Sequence, residues 1–133
     1  MQEKYLQLKT RLAEIHDLDK VRWVLSWDQR TVMPPRGAGV RAEQLATLEG
    51  VWHEKLTAPE TGRLLDELRP YEASLPYDSD EASLIRRARR DYEKALCVPG
   101  ELRAEMERAA SLANPVWIEA RKKSDFALFL PAL

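Results

Sequence analysis

Cysteine occurs once, at Cys97, and histidine only twice in these 133 residues. A lone thiol excludes an intrachain disulfide. Together with a start, Met1-Gln2-Glu3-Lys4, that lacks a basic head and apolar run, it favours a cytoplasmic setting. The neighbours Ala95, Leu96 and Val98 predict a small buried hydrophobe at Cys97. No apolar run approaches the ~18 residues that a bilayer span needs, so no membrane partner is expected. Charge of one sign is also missing, with 21 basic residues against 22 acidic ones. That balance excludes the strongly basic surface of a nucleic-acid binder. The one basic concentration, Arg86-Arg87-Ala88-Arg89-Arg90, is followed by Asp91 and Glu93 and reads as a solvated helix face.

What is present is helical periodicity. One domain of this length buries roughly two-thirds of the surface its unfolded chain exposes. Tyr5, Leu8, Leu12 and Ile15 share a stripe that Leu18, Val21 and Leu25 extend, predicting a first helix over about residues 2–30. Pro34-Pro35 ends it, because neither residue donates a backbone N–H. Gly37 and Gly39 precede a second helix from about Val40 to Leu56, on which Leu45, Leu48, Trp52 and Val51 form the apolar face. Thr57-Ala58-Pro59-Glu60 reads as a capping box with proline early in the next helix, which should end near Pro70. Asp78 and Glu81 are the expected caps of a fourth helix through Leu84, Ile85, Ala88, Tyr92 and Ala95. Pro99 opens a fifth, with Leu102, Met106, Ala109, Ala113, Val116 and Ala120 repeating and Asn114-Pro115 as its weak point. The expectation is an all-α fold over residues 1–133: antiparallel helical hairpins, about five main helices with proline-containing breaks and no substantial sheet.

The chemical candidates are sparse. His53-Glu54-Lys55-Leu56-Thr57 falls short of His-Glu-x-x-His, in which imidazoles at i and i+4 meet on one metal. The second ligand position is Thr57, and His16 belongs to another helix, so polar residues near a helix end are the better account. Asp17 and Asp19 beside His16 read as local charge pairing. No nucleophile elbow, phosphate loop or dinucleotide fingerprint appears. Trp23, Trp27, Trp52 and Trp117 are expected in the core, and Asp28 is expected to satisfy donors at the break after Trp27. The closing stretch Ser124-Asp125-Phe126-Ala127-Leu128-Phe129-Leu130 is apolar enough to suggest truncation or a partner surface, with Phe126 and Phe129 as candidate interface residues.

The phrase Leu25-Ser26-Trp27-Asp28-Gln29, followed by Thr31, Met33 and Pro34, resembles the N-terminal signature of the M32 thermostable-carboxypeptidase family. The resemblance continues through Gly37-Ala38, then Arg41-Ala42-Glu43-Gln44-Leu45-Ala46-Thr47-Leu48 and His53-Glu54. It resumes in Arg89-Arg90-Asp91-Tyr92-Glu93-Lys94-Ala95, and again in Trp117-Ile118-Glu119-Ala120-Arg121 before Lys123-Ser124-Asp125-Phe126. Arg30 stands where that signature often carries an acid. The resemblance implies a mostly helical, cytoplasmic metallocarboxypeptidase, usually dimeric, that releases residues from peptide C-termini with one divalent metal, zinc.

The resemblance also implies that the metal motif lies in a later region. No residue here inherits a catalytic, metal or cofactor-binding role, and the chain by itself is expected to be inactive. Its helices are expected to shape or cover the substrate groove, with Trp27, Asp28, Gln29, Thr31, Met33, Pro34, Arg41 and Gln44 as structural or cleft-lining residues. Its implied partners are the remaining catalytic region, the peptide substrate and a second copy of the full-length protein. The competing expectation is a stand-alone helical interaction module built on the same scaffold.

Overall fold

Prolines mark most of the joints, as a residue without a backbone donor must. A computed structural model describes all 133 residues and contains only helix and turn. The helices are α1 (Gln2–Thr31), α2 (Ala38–Thr57), α3 (Pro59–Glu67), α4 (Arg69–Ser74), α5 (Asp80–Leu96) and α6 (Gly100–Lys123). Short 3-10 turns cover Pro35–Gly37, Phe126–Leu128 and Leu130–Ala132. The all-α expectation holds, and no helix is long and apolar enough to cross a membrane.

Local chemistry differs from expectation at three joints. Thr57 is no cap: it is the last residue of α2, its hydroxyl donates to the His53 carbonyl at 2.7 Å, and Ala58 precedes α3 without a side-chain cap. Proline in the first turn of α3 supplies the start instead. The third helix ends at Glu67, near Pro70 as expected, but Pro70 then opens a short helix, α4, beyond those expected, again by occupying a first-turn position where its missing N–H costs nothing. The α5 cap is Ser79, not Asp78; its hydroxyl accepts from the Ala82 N–H, with Asp80 and Glu81 in the first turn favoured by the helix dipole. The last helix passes through Pro115 and continues to Lys123.

The chain divides into two units, the first comprising residues 1–20 and 51–99. Its core joins Leu8 of α1 to Leu65, Leu68, Ile85 and Ala88, ringed by Tyr5, Leu12, Tyr71 and Tyr92. A second cluster holds Ile15, Leu56 and Ala95, with Leu12 and Trp52 against it. Buried polar groups here are answered: Arg11 Nε donates to Thr61 Oγ1 at 2.6 Å, and His53 Nε2 lies 2.9 Å from the Ala95 carbonyl. His53, near the end of α2 as expected, is therefore a buried partner of α5. Cys97 is exposed, contrary to expectation, because it falls at the C-cap of α5, past the last inward turn.

The second unit comprises residues 21–50 and 100–133. Ala42, Leu45, Ala46 and Ala120 are its buried apolar residues, and the acid Glu49 and the hydroxyl Ser111 are buried with them. Val21, Trp23, Val24 and Trp27 on α1 are exposed, as are Val51 on the first unit's part of α2 and Leu102, Met106, Ala109, Val116 and Trp117 on α6. Three of the four tryptophans expected in the core thus lie at the surface, and only Trp52 packs against a buried cluster. The reason is a shift of face: the inward stripes are Arg22-Leu25-Gln29 on α1 and Arg103-Glu107-Ser111 on α6, at helical spacing but largely polar.

Candidate functional site

Polar side chains on those inward stripes build the only dense constellation that the signature residues enter. Arg41 is its hub. The Arg41 guanidinium meets Asp28 Oδ2 at 2.7 Å, donates to the Leu25 carbonyl at 2.7 Å, and donates from Nε to Gln44 Oε1 at 3.0 Å. The chain thus folds back on itself: the Pro34-Pro35 break returns α2 beside the end of α1, so residues 28 and 41 meet across it. A forked guanidinium suits this task because its donors diverge in one plane.

Gln29 faces elsewhere. Its amide donates to the Ser111 carbonyl at 3.1 Å and to Ser111 Oγ at 3.0 Å, tying α1 to α6. Beneath it, Glu49 is only 3% exposed and carries two guanidinium groups, Arg103 Nε at 2.6 Å and Arg22 Nη2 at 2.6 Å. Arg22 also reaches Glu107 Oε2 at 3.2 Å. The result is an alternating chain of two acids and two bases across α1, α2 and α6, which balances its own charge.

Signature residues therefore fall into three groups. Asp28, Arg41 and Gln44 are brought together; Gln29 joins α6; and Thr31, Met33 and Pro34 shape the break itself. Thr31 Oγ1 donates to the Trp27 carbonyl at 2.8 Å, Met33 packs on Gly37, and Pro34 accepts from the Gly37 N–H at 2.8 Å. Asp28 meets donors at the break through two different groups. Its backbone carbonyl takes those from Val32 and Met33, while the side chain is held by Arg41. Trp27 is 63% exposed and lines a shallow hollow with Trp23, Ser26 and Arg30. Gln44 lines a second, apolar hollow with Leu25, Val40, Glu43, Thr47 and Leu48.

Of the two candidate interface residues, Phe129 stacks edge-on against Trp117 with ring centroids 5.1 Å apart. Phe126 is 56% exposed and borders a hollow with Trp117, Ala120, Arg121, Ser124 and Asp125. Charge pairing shifts one acid of this unit: the Arg108 guanidinium bonded to Glu43 holds that carboxyl below its usual range, as the Lys55 ammonium does for Glu14 in the first unit.

Sequence reasoning missed Arg22, Glu49, Arg103, Glu107 and Ser111. The available signal was the helical spacing of polar residues, which a search for apolar stripes discards. Chemically, the constellation holds helices together. Its acids are bound to arginines, with no nucleophile poised beside a base. No group of three His, Cys, Asp or Glu side chains is disposed to hold a metal ion, and His53 is bonded to a carbonyl, so the zinc implied by the resemblance does not fit the residues of this chain.

Residues 7–133 match the family described as Carboxypeptidase Taq (M32) metallopeptidase. The thermostable carboxypeptidase 1 of Thermus thermophilus is 37% identical over 108 residues, covering 81% of this chain and 21% of that protein. Among solved structures, that of BsuCP superposes with a TM-score of 0.89 at 27% identity, covering 98% of this chain and 26% of the other. Metallocarboxypeptidase 1 of Trypanosoma cruzi gives a TM-score of 0.73 at 26% identity, with 99% of this chain and 26% of the other covered. The chain spans about a quarter or less of the length of each.

Proposed function

Because this chain belongs to the carboxypeptidase Taq (M32) metallopeptidase family, we propose that it is the N-terminal part of a metal-dependent, cytoplasmic carboxypeptidase that hydrolyses residues from peptide C-termini. The chain itself supplies neither metal ligands nor a general base. Its helices shape or cover one side of the substrate groove, and the divalent metal, zinc, is held by the remaining polypeptide.

The observation that carries this reading is the match over residues 7–133 beside a coverage of only 21% of the Thermus thermophilus relative. The packing of the second unit supports it. That unit turns charged and amide groups inward and leaves Trp23, Val24, Trp27, Met106, Trp117 and Phe126 in solvent. Exposed apolar surface on this scale marks a face that another protein surface covers, and in a longer chain that surface is available within the same polypeptide.

The test compares the 133-residue protein with a chain extended through a His-Glu-x-x-His segment, both supplied with zinc and a short peptide. The expected result is release of C-terminal amino acid only by the extended chain. Metal-dependent trimming by the 133-residue protein alone overturns the assignment. A natural stop codon after Leu133, with no activity in any extended form, leaves the stand-alone interaction module as the better reading.

A further inference from the structure

The first unit carries a hollow that the carboxypeptidase reading does not use, and it stands independently of that reading. It measures about 490 Å³ and is lined by Arg69, Glu72, Ala73, Leu75, Tyr77, Arg86 and Arg89. Two of its three arginines are already answered by acids. Arg69 Nε bonds Asp66 at 3.0 Å, and Arg89 bonds Glu72 at 3.2 Å and the Leu65 carbonyl at 2.9 Å.

Arg86 differs. Its hydrogen bonds run from one nitrogen, Nη2, to two neutral oxygens: the Tyr77 carbonyl at 2.7 Å and Ser83 Oγ at 3.2 Å. Its guanidinium lies 3.9 Å from the centroid of the Tyr77 ring, which fixes the plane of the fork. The Nε and Nη1 donors therefore remain for a ligand, on a side chain whose freedom is already spent on the tyrosine.

We propose that this hollow binds a carboxylate, and that its ligand is an acidic peptide segment whose Asp or Glu side chain docks on Arg86. Three considerations favour a single carboxylate over a polyanion. With Nη2 engaged, Nε and Nη1 share no edge of the guanidinium, so each offers one charge-assisted bond that a single carboxylate oxygen fills. The nearby Glu72 and Asp66 offset two of the three positive charges, leaving a net charge that one negative group matches. Ala73, Leu75 and the Tyr77 ring give apolar wall for the methylenes of an acidic side chain and its neighbours, which a phosphate does not need.

The experiment follows the Arg86 Nε–Hε signal of the isotope-labelled 133-residue protein by NMR during titration with acetyl-Ala-Glu-Ala-amide and, separately, acetyl-Ala-Gln-Ala-amide. The glutamyl peptide is expected to shift Arg86 and the Tyr77 ring saturably, and the glutaminyl peptide to leave both in place. Arg86→Gln, followed through the Tyr77 ring, should weaken the glutamyl peptide by about tenfold or more, the size of effect a charged hydrogen bond carries. Tyr77→Leu keeps the charge and loses only the platform, so it should weaken binding by about threefold; it decides the matter if Arg86→Gln fails to fold. Equal response to the two peptides, or undiminished binding by a folded Arg86→Gln, overturns the proposal. Tighter binding of inorganic phosphate or an oligonucleotide than of the glutamyl peptide overturns it as well.

Discussion

Arg103 on α6 donates its Nε to the Oε1 oxygen of Glu49 on α2 at 2.6 Å, inside a unit where Glu49 is almost fully shielded from water. The opposite oxygen faces Arg22 of α1 at 2.6 Å. One carboxylate thereby links three helices. Burying an acid is tolerable only because both its oxygens meet positive charge.

Replacing Glu49 alone should therefore be costly. Glu49→Leu removes the shared partner of two arginines, and a loss of about 3–5 kcal/mol is expected from breaking a buried pair on one side. Glu49→Gln keeps an acceptor and should lose less. Denaturant unfolding checks both. The companion variant, with Arg22→Met, Glu49→Leu, Arg103→Met and Glu107→Gln together, should recover most of the loss, because replacing all four members leaves no stranded charge. A Glu49→Leu protein as stable as the parent would show that the network contributes nothing.

Glycines give a contrast within one fold. Gly62 in α3 lies under Tyr92 of α5, where an added Cβ would meet the ring carbon Cζ at 2.9 Å. Gly62→Ala should therefore destabilise by about 1–3 kcal/mol through overpacking, outweighing the gain in helix propensity. Gly50 in α2 has no atom within 4 Å of that position. Gly50→Ala should stabilise by about 0.5–1 kcal/mol. Melting temperatures that move in the same direction for both would contradict this packing of α3 on α5.

The contrast between the units explains what the sequence made legible. In the first unit the stripe Tyr5-Leu8-Leu12-Ile15 meets the core it predicts, because apolar residues face inward there and periodicity reports burial directly. In the second unit the same logic picks the wrong face. Leu102 and Met106 repeat as well as Leu8 and Leu12 do, yet Arg103 and Glu107, one residue further on, point inward. Periodicity finds an apolar stripe but does not say whether its partner lies in the same unit. The signature residues were legible as a group through the resemblance. Their connections were not: nothing in the spacing of Asp28 and Arg41 shows that a double proline folds one onto the other.

The pair between Glu43 and Arg108 should carry a pH signature. Arg108 donates to both Glu43 oxygens, at 2.7 and 3.1 Å, and this bonding lowers the carboxyl from its ordinary value of 4.5. A carboxyl depressed in the folded state contributes stability above its unfolded value, and that contribution fades as pH falls through the folded value. Both groups are solvent-exposed, so the contribution is small and screened by salt. Carboxyl-carbon NMR should place Glu43 below an ordinary glutamate, and Arg108→Gln should move it back up. A titration unchanged by Arg108→Gln would remove the pair as the cause.

The end of α6 holds the one non-glycine residue with positive φ, Ser124 at 51°. The chain stops its helix there in the paired pattern of a Schellman cap: Asp125 N–H bonds the Ala120 carbonyl at 3.0 Å and Ser124 N–H bonds the Arg121 carbonyl at 3.2 Å. The pattern needs a left-handed residue at that position, and serine accepts it only against the crowding of its Cβ. Glycine has no such penalty, so Ser124→Gly should raise stability by about 0.5–1 kcal/mol while leaving the helix content unchanged. Ser124→Val, branched at the crowded carbon, should lower it. The consequence reaches past the cap, since Asp125 accepts from the Ala127 N–H at 3.0 Å and so starts the turn that carries Phe126. A valine at 124 should therefore weaken the stacking of Phe129 on Trp117, seen as a change in the intensity of the Trp117 fluorescence in a protein whose other tryptophans are replaced by phenylalanine. An unaltered spectrum together with a lowered melting temperature would confine the effect of Ser124 to the helix end alone.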